Sequence, residues 1–221
     1  MNKKISPSLM CGRISEYKEI LKEFEKCGIE YLHIDVMDGE FVPNLQFGTD
    51  MIKQIRQMSD IPLDIHLMIN NPEQKLEWFG IREGEYVAIH YEATKHIQRA
   101  LARIRELGGK TMLAINPATP LCVLEDVFPD LDAVLIMTVN PGFVGQKIVP
   151  ATVEKVKRLR KMLDEKGYEN IEIEVDGNVS FENARILSDA GANIFVAGTS
   201  SVFRKEYSLA DAITNLRASI Q

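Results

Sequence analysis

Tyr31-Leu-His-Ile-Asp-Val-Met-Asp38 and Pro62-Leu-Asp-Ile-His-Leu-Met68 carry one pattern, His-x-Asp-x-Met in the first and Asp-x-His-x-Met in the second. Both are short apolar runs of the kind that form strands. Alternate residues of a strand share a face, so His33, Asp35 and Met37 point one way, as do Asp64, His66 and Met68. Ile173-Glu-Val-Asp176 is a third such run, ending on a carboxylate just before Gly177. Imidazoles and carboxylates at the ends of several apolar strands predict a metal site or an acid–base site at one end of a sheet.

The same alternation extends along the chain. Strand-like runs lie at Ile5–Leu9, Tyr31–Val36, Leu63–Leu67, Tyr86–His90, Thr111–Ile115, Ala133–Met137, Ile171–Val175 and Ile194–Ala197. Amphipathic stretches separate them at Glu16–Cys27, Thr49–Met58, Pro72–Phe79, Ile97–Leu107, Ala151–Glu165 and Phe181–Ala190, with apolar residues three and four apart. Ser180-Phe-Glu-Asn183 and Pro72 supply helix-start signals. No linker or low-complexity tract divides the chain, so residues 1–221 are expected to form one domain. Eight strands alternating with helices predict an α/β fold, a (β/α)8 TIM barrel, with a doubly wound open sheet as the competitor. The barrel is preferred because it gathers the ends of strands scattered along the sequence onto one rim.

The bulk composition narrows the function classes. The 221 residues are 45% hydrophobic and 26% charged, ordinary for a globular protein, and the net charge is −6. That acidity argues against a nucleic-acid partner. No apolar run approaches the ~20 residues of a membrane span, and Met-Asn-Lys-Lys-Ile-Ser-Pro has no secretory pattern. Cys11, Cys27 and Cys122 show no metal or disulfide spacing, so a reducing, cytoplasmic setting is expected. Cys11 is read as a half-buried thiol near a strand end.

His33, Asp35, His66 and Asp176 together make a ligand set for one divalent ion per subunit. Nitrogen and carboxylate donors suit Zn(II), Fe(II), Mn(II) or Co(II) better than Ca(II). The alternative is that the two histidines are hydrogen-bonded core residues. Asp35 and Asp176 come from well-separated strands, as inversion of a carbon acid requires: one carboxyl removes a proton from one face and the other returns one to the opposite face. Asp176 is also explicable as a turn former. Met37, Met68 and Met137 fall at strand ends, where they fill a core or wall a dry pocket. His90 is placed behind the site and His96 at a solvated helix start. Asn140-Pro-Gly-Phe-Val-Gly-Gln146, Asp176-Gly-Asn178 and Ala197-Gly-Thr-Ser200 are three late glycine turns whose N–H groups suit an anion, helped by a short helix expected near Ser200. Lys155-Val-Lys-Arg-Leu-Arg-Lys161 is read as a solvated helix face.

Taken together, several motifs resemble the ribulose-phosphate 3-epimerase family. They are Ser6-Pro-Ser-Leu9, His33-Ile-Asp-Val-Met-Asp-Gly39, Phe41-Val-Pro-Asn44, Asp64-Ile-His-Leu-Met68, Asn116-Pro-Ala-Thr-Pro120, Met137-Thr-Val-Asn-Pro-Gly-Phe143, Glu174-Val-Asp-Gly177 and Ala197-Gly-Thr199. The resemblance implies a ribulose-phosphate-binding barrel that inverts C3 of a phosphorylated ketose through a metal-held ene-diolate. It implies His33, Asp35, His66 and Asp176 as metal ligands, Asp35 as proton acceptor and Asp176 as proton donor. Ser8 and His66 are then substrate contacts, and Met37, Met68 and Met137 the methionine wall. Gly142, Phe143, Val144, Gly145, Gly177, Asn178, Gly198, Thr199 and Ser200 are then the phosphate and substrate loops. Subunits of such a family associate as dimers or hexamers.

Four departures from the family pattern bear on substrate. Val144 stands where Gly-Phe-Gly-Gly is usual, Asn178 where Asp-Gly-Gly is usual, and Gly198-Thr199-Ser200 where Gly-Ser is usual; Pro-Ser-Leu-Met-Cys11 also differs from Pro-Ser-Ile-Leu-Ser. These look similar to the allulose-6-phosphate 3-epimerase branch. The leading expectation is therefore D-ribulose 5-phosphate to D-xylulose 5-phosphate, in pentose-phosphate metabolism. D-allulose 6-phosphate to D-fructose 6-phosphate is the near competitor. A lyase or synthase on a phosphate-binding barrel, and a non-catalytic sugar-phosphate-binding protein, are the more distant readings.

Overall fold

The computed structural model describes residues 2–221. Eight strands run parallel around a (β/α)8 barrel: β1 (Lys4–Pro7), β2 (Leu32–Asp38), β4 (Leu63–Met68), β5 (Tyr86–His90), β6 (Lys110–Ile115), β7 (Ala133–Met137), β8 (Glu172–Asp176) and β9 (Ile194–Ala197). β3 (Leu45–Gln46) is a two-residue antiparallel addition to the end of β2. The ladder runs β1-β9-β8-β7-β6-β5-β4-β2, and a parallel bridge between Ser8 and His33 joins its first and last strands.

Six α-helices cover the outside: α1 (Tyr17–Lys26), α2 (Thr49–Met58), α3 (Ile97–Glu106), α4 (Ala151–Glu165), α5 (Phe181–Asp189) and α6 (Leu209–Ser219). Their inward faces follow the helical period, with Tyr17, Ile20, Leu21 and Phe24 buried on α1 and Val156, Leu159 and Leu163 on α4. They pack on outward strand residues such as Ile34, Ile65, Val87, Leu113, Val134, Val175 and Phe195. Ser180 and Ser208 cap α5 and α6, each accepting from the N–H three residues on.

Three local expectations are corrected. Pro72–Phe79 is two 3-10 turns, Pro72–Gln74 and Leu76–Phe79, because Lys75 leaves helical geometry (φ −122°) between them. The turns of Gly198–Phe203 take the place of the helix expected at Ser200. Lys155 is buried rather than solvated. Among the described residues no helix is long and apolar enough to cross a membrane.

The barrel interior is unusually polar. Tyr31, Tyr86, Met112, Leu135 and Ile194 fill part of it. Ser6, His33, Asp64, His66, His90 and Glu174 occupy the rest, all fully buried. Burying that many ionisable groups is costly unless they are paired, so the interior points to chemistry at the strand ends.

Candidate active site

Strand register brings the pattern residues together. His33 lies opposite Asp64, Asp35 opposite His66 and Met37 opposite Met68 across β2 and β4, while Met137 pairs with Asp176 across β7 and β8. These side chains point inward, with Asp35, Met37, Met68, Met137 and Asp176 at the C-terminal end, the catalytic rim of such barrels.

Four donor atoms converge there. His33 Nε2 is 3.4 Å from Asp35 Oδ1 and 4.0 Å from Asp176 Oδ2. His66 Nδ1 is 3.6 Å from Asp35 Oδ1 and 3.7 Å from Asp176 Oδ2. With metal–ligand bonds of about 2.0–2.2 Å, two donors on a tetrahedral ion lie about 3.3–3.6 Å apart. The spacing therefore matches one small divalent ion. The hydrogen bonds agree: His33 Nε2 and His66 Nδ1 are buried and make no hydrogen bond among the described residues, although the other nitrogen of each ring is engaged. His33 Nδ1 donates to Asp64 Oδ2 at 2.6 Å, and Ser6 Oγ donates to the same oxygen at 2.9 Å. Asp64 thus keeps a proton on Nδ1 and leaves Nε2 as the atom that would face a cation, the usual support for a metal-binding histidine; burial opposes charge on the ring, but the charges of Asp64 and Asp35 raise His33 well above its ordinary value.

The two carboxyl groups are biased in opposite directions. Burial works against the charge of Asp35, but the nearby His33 and then His66 outweigh it and hold Asp35 well below the usual carboxylate range. Ser8 Oγ donates to its second oxygen at 2.6 Å. Asp176 moves upward because burial dominates; attraction to His33 opposes that and repulsion from Asp35 reinforces it. Glu174, beneath them, is raised well above its ordinary value by burial, with the charge of Asp64 adding to the effect.

Above these groups lies a cavity of about 290 Å³. Ser8, Asp35, Met37, Met68, Met137 and Asp176 form its floor and walls, and the loops Gly142–Gly145, Gly177–Asn178 and Gly198–Ser200 its rim. His33 and His66 lie buried below it. Met10, Cys11, Val139, Gln146 and Val196 also line it, so Cys11, read from the sequence as a thiol near a strand end, does reach the cavity. Burial pushes the Cys11 thiol up to about 11, with the charge of Asp35 adding to the effect.

Two of the loop positions have a clear backbone cause. Gly177 has φ +118°, and a Cβ there would fall 2.5 Å from Val139 Cγ2. Asn178 follows at φ +51°, a left-handed conformation that Asn tolerates better than most residues. Its amide also donates to Gln146 O at 2.6 Å and accepts from Asn183 at 2.8 Å, tying two rim loops together. Asn178 therefore both adopts the turn and tethers the rim.

A second set of contacts, running from the buried His66 and His90 to the exposed Glu92, was only partly visible in the sequence. His66 Nε2 lies 2.8 Å from His90 Nε2, and His90 Nδ1 lies 3.3 Å from Glu92 Oε2. Lys155 Nζ donates to the carbonyls of Asn116, Pro117 and Thr119 at 3.0, 2.6 and 2.7 Å.

Fold and site together define a barrel enzyme with a two-histidine, two-carboxylate centre under a glycine-lined cavity. Residues 4–203 match the ribulose-phosphate 3 epimerase family. The ribulose-phosphate 3-epimerase of Bacillus subtilis is 43% identical over 196 residues, 89% of this chain and 90% of the relative. The chloroplastic ribulose-5-phosphate-3-epimerase of Arabidopsis thaliana is 42% identical over 217 residues, 97% of this chain and 76% of the relative. Among solved structures, KGPDC from Streptococcus mutans superposes with a TM-score of 0.71 at 13% identity, covering 100% of this chain and 98% of that one, a likeness of fold. The chain belongs to the ribulose-phosphate 3-epimerase family.

Proposed function

We propose that the chain is a metal-dependent isomerase that interconverts D-ribulose 5-phosphate and D-xylulose 5-phosphate by inverting C3. One observation carries the chemistry: two carboxyl groups from separate strands, Asp35 and Asp176, open into one cavity with opposite proton bias. In the ribulose direction Asp35, kept ionised by its histidine neighbours, takes the C3 proton. Asp176, biased toward its acid form, returns a proton to the other face. The reverse reaction exchanges the roles. Ser8 orients Asp35, and Met37, Met68 and Met137 keep water from the carbanion.

His33, Asp35, His66 and Asp176 would hold one divalent ion per subunit, among Zn(II), Fe(II), Mn(II) and Co(II). When bound, it supplies positive charge that acidifies the carbon next to the substrate carbonyl. The rim loops offer backbone N–H groups to the phosphate; those of Gly142, Gly145, Gly198 and Ser200 donate to no backbone carbonyl among the described residues. A cytoplasmic location and a homo-oligomer of two or six subunits complete the reading.

The named relatives support the five-carbon substrate over allulose 6-phosphate. The test is kcat/KM on both substrates with metal-quantified protein. A preference of ~100-fold for ribulose 5-phosphate, about 2.7 kcal/mol of transition-state binding, is expected. The opposite preference assigns the enzyme to the six-carbon ketose and makes Val144, Asn178 and Thr199 its specificity residues. Absence of C3 exchange with solvent on either sugar would leave a binding protein.

A further inference from the structure

Asn116-Pro-Ala-Thr-Pro120 stands apart from the cavity-lining residues, yet it is joined to the metal centre by an unbroken set of contacts. We infer that Glu92, held by this loop, acts through His90 to set the tautomer of His66, making His90 and Glu92 positioning residues for the metal centre. The inference rests on the reading of His66 as a ligand through Nδ1.

Hydrogen-bond direction links these residues. The Nε2 atoms of His66 and His90 are 2.8 Å apart, so one carries a proton and the other accepts it. Two protons would collide there, and two lone pairs would repel. The far nitrogen of His66, Nδ1, faces Asp35 and Asp176 and has no hydrogen-bond partner. If Nδ1 is to present its lone pair to a cation, the proton of His66 must sit on Nε2. His90 Nε2 is then the acceptor, and the proton of His90 sits on Nδ1, facing Glu92 Oε2 at 3.3 Å. Each direction in this sequence fixes the next. Reversing it would place a histidine lone pair against a carboxylate.

What holds the sequence in that direction is the negative charge of Glu92. Its other oxygen, Oε1, accepts from the backbone N–H of Asn116 at 3.0 Å and from the Thr119 hydroxyl. The loop that supplies those two donors is clamped by Lys155, whose ammonium reaches three of its carbonyls from α4. Phe41 covers the His90 ring, with centroids 4.7 Å apart, and His90 is fully buried. The His66 and His90 rings are nearly parallel, 25° between planes, so the contact is also sterically set. His33 has its own support in Asp64 on the opposite side. The two histidines of the centre are thus oriented by separate outer partners, one a direct carboxylate and the other a carboxylate acting through a second imidazole.

The test uses Co²⁺ binding and ring NMR on the full chain. In the metal-free protein, long-range ¹H–¹⁵N correlations should show His66 protonated on Nε2 and His90 on Nδ1; the reverse tautomers overturn the inference. Co²⁺ affinity, measured by competition with a chromogenic chelator, should fall about 10- to 100-fold in His90→Leu, the range found for outer partners of metal ligands. The visible Co²⁺ spectrum should change with it. His90→Gln, whose amide oxygen can reach the His90 Nε2 position, should recover most of the affinity. Equal weakness of the Gln and Leu variants would show that ring packing, not hydrogen-bond direction, is what matters. Should His90→Leu fail to fold, Glu92→Gln serves, because Glu92 lies at the rim and the change keeps its shape. It should weaken Co²⁺ about tenfold, the low end of the same range. Wild-type affinity with an unaltered spectrum in Glu92→Gln overturns the inference. His66→Ala in the same titration separates the two levels: if it binds Co²⁺ as the wild type does, the ligand reading itself falls and takes the inference with it.

Discussion

Replacing Asp176 by Asn isolates one of the two proposed proton-transfer groups with little collateral damage. Among the described residues the Asp176 side chain makes no hydrogen bond, unlike Asp35, which accepts from Ser8 at 2.6 Å. Burial already favours its neutral form, so an uncharged amide of the same shape fits the site. The stability change should stay within about 0.5–1 kcal/mol. Turnover should fall far more. A positioned acid or base contributes about 10²–10⁴ in rate, or about 2.7–5.5 kcal/mol of barrier. The assay pairs coupled turnover in both directions with exchange of the C3 hydrogen in D₂O. Asp35 remains able to remove and return a proton on its own face, so Asp176→Asn should wash deuterium into ribulose 5-phosphate without forming xylulose 5-phosphate. Metal content, measured alongside, accounts for the lost ligand charge. Turnover within tenfold of the wild type, with metal bound, would refute the two-carboxyl scheme. Exchange confined to xylulose 5-phosphate would reverse the assignments of Asp35 and Asp176.

Three further outcomes follow from the geometry. His33→Ala removes the donor that Asp64 orients, and metal stoichiometry after gel filtration should drop well below one per subunit; unchanged stoichiometry would remove His33 from the ligand set. Gly177→Ala places a methyl 2.5 Å from Val139 Cγ2 at φ +118° and should lower the unfolding free energy by about 2–5 kcal/mol in a urea titration; a shift under ~1 kcal/mol would show that this turn moves freely. The Cys11 thiol, raised by burial to about 11, ionises only as pH climbs to that value. Its alkylation by iodoacetamide should therefore rise about tenfold per pH unit between 8 and 10, with exposed Cys122 reacting first at pH 8; equal rates at pH 8 would contradict the assigned burial.

The strands were legible because a parallel strand buried on both faces leaves a short apolar run that few other elements produce. All eight appear within a few residues of their expected bounds, and the inward set on β2, β4 and β8 follows directly from the period of two. Pro72–Phe79 read as a helix because Pro72 opens it and Leu76 and Phe79 have helical spacing. Packing against the barrel decides otherwise: Leu76 and Phe79 are buried, while Lys75 turns out of the helix so that its ammonium reaches Asn70 O at 2.7 Å. Lys155 shows the same limit. In a run of basic residues nothing marks the one whose helical position faces three carbonyls of a neighbouring loop.

The inner donors and their outer supports differ in legibility for a physical reason. The proposed metal ligands combine the few residue types that bind such ions with a shared inward strand face, so His33, Asp35, His66 and Asp176 stand out through both chemistry and period. An outer support need only offer an acceptor in the right place, and any nearby element can supply it. Asp64 was visible because it shares a strand with His66 and pairs in register with His33. Glu92 was not, because it lies in a 3-10 turn after β5 and meets Asn116 and Thr119 only once β5 and β6 are aligned, with His90 opposite Ala114. The asymmetry also predicts where substitutions should be tolerated. Removing a proposed donor, as in His33→Ala, should lower metal occupancy directly, whereas changes along His90, Glu92 and Thr119 should weaken binding by degrees, each step away from His66 counting for less.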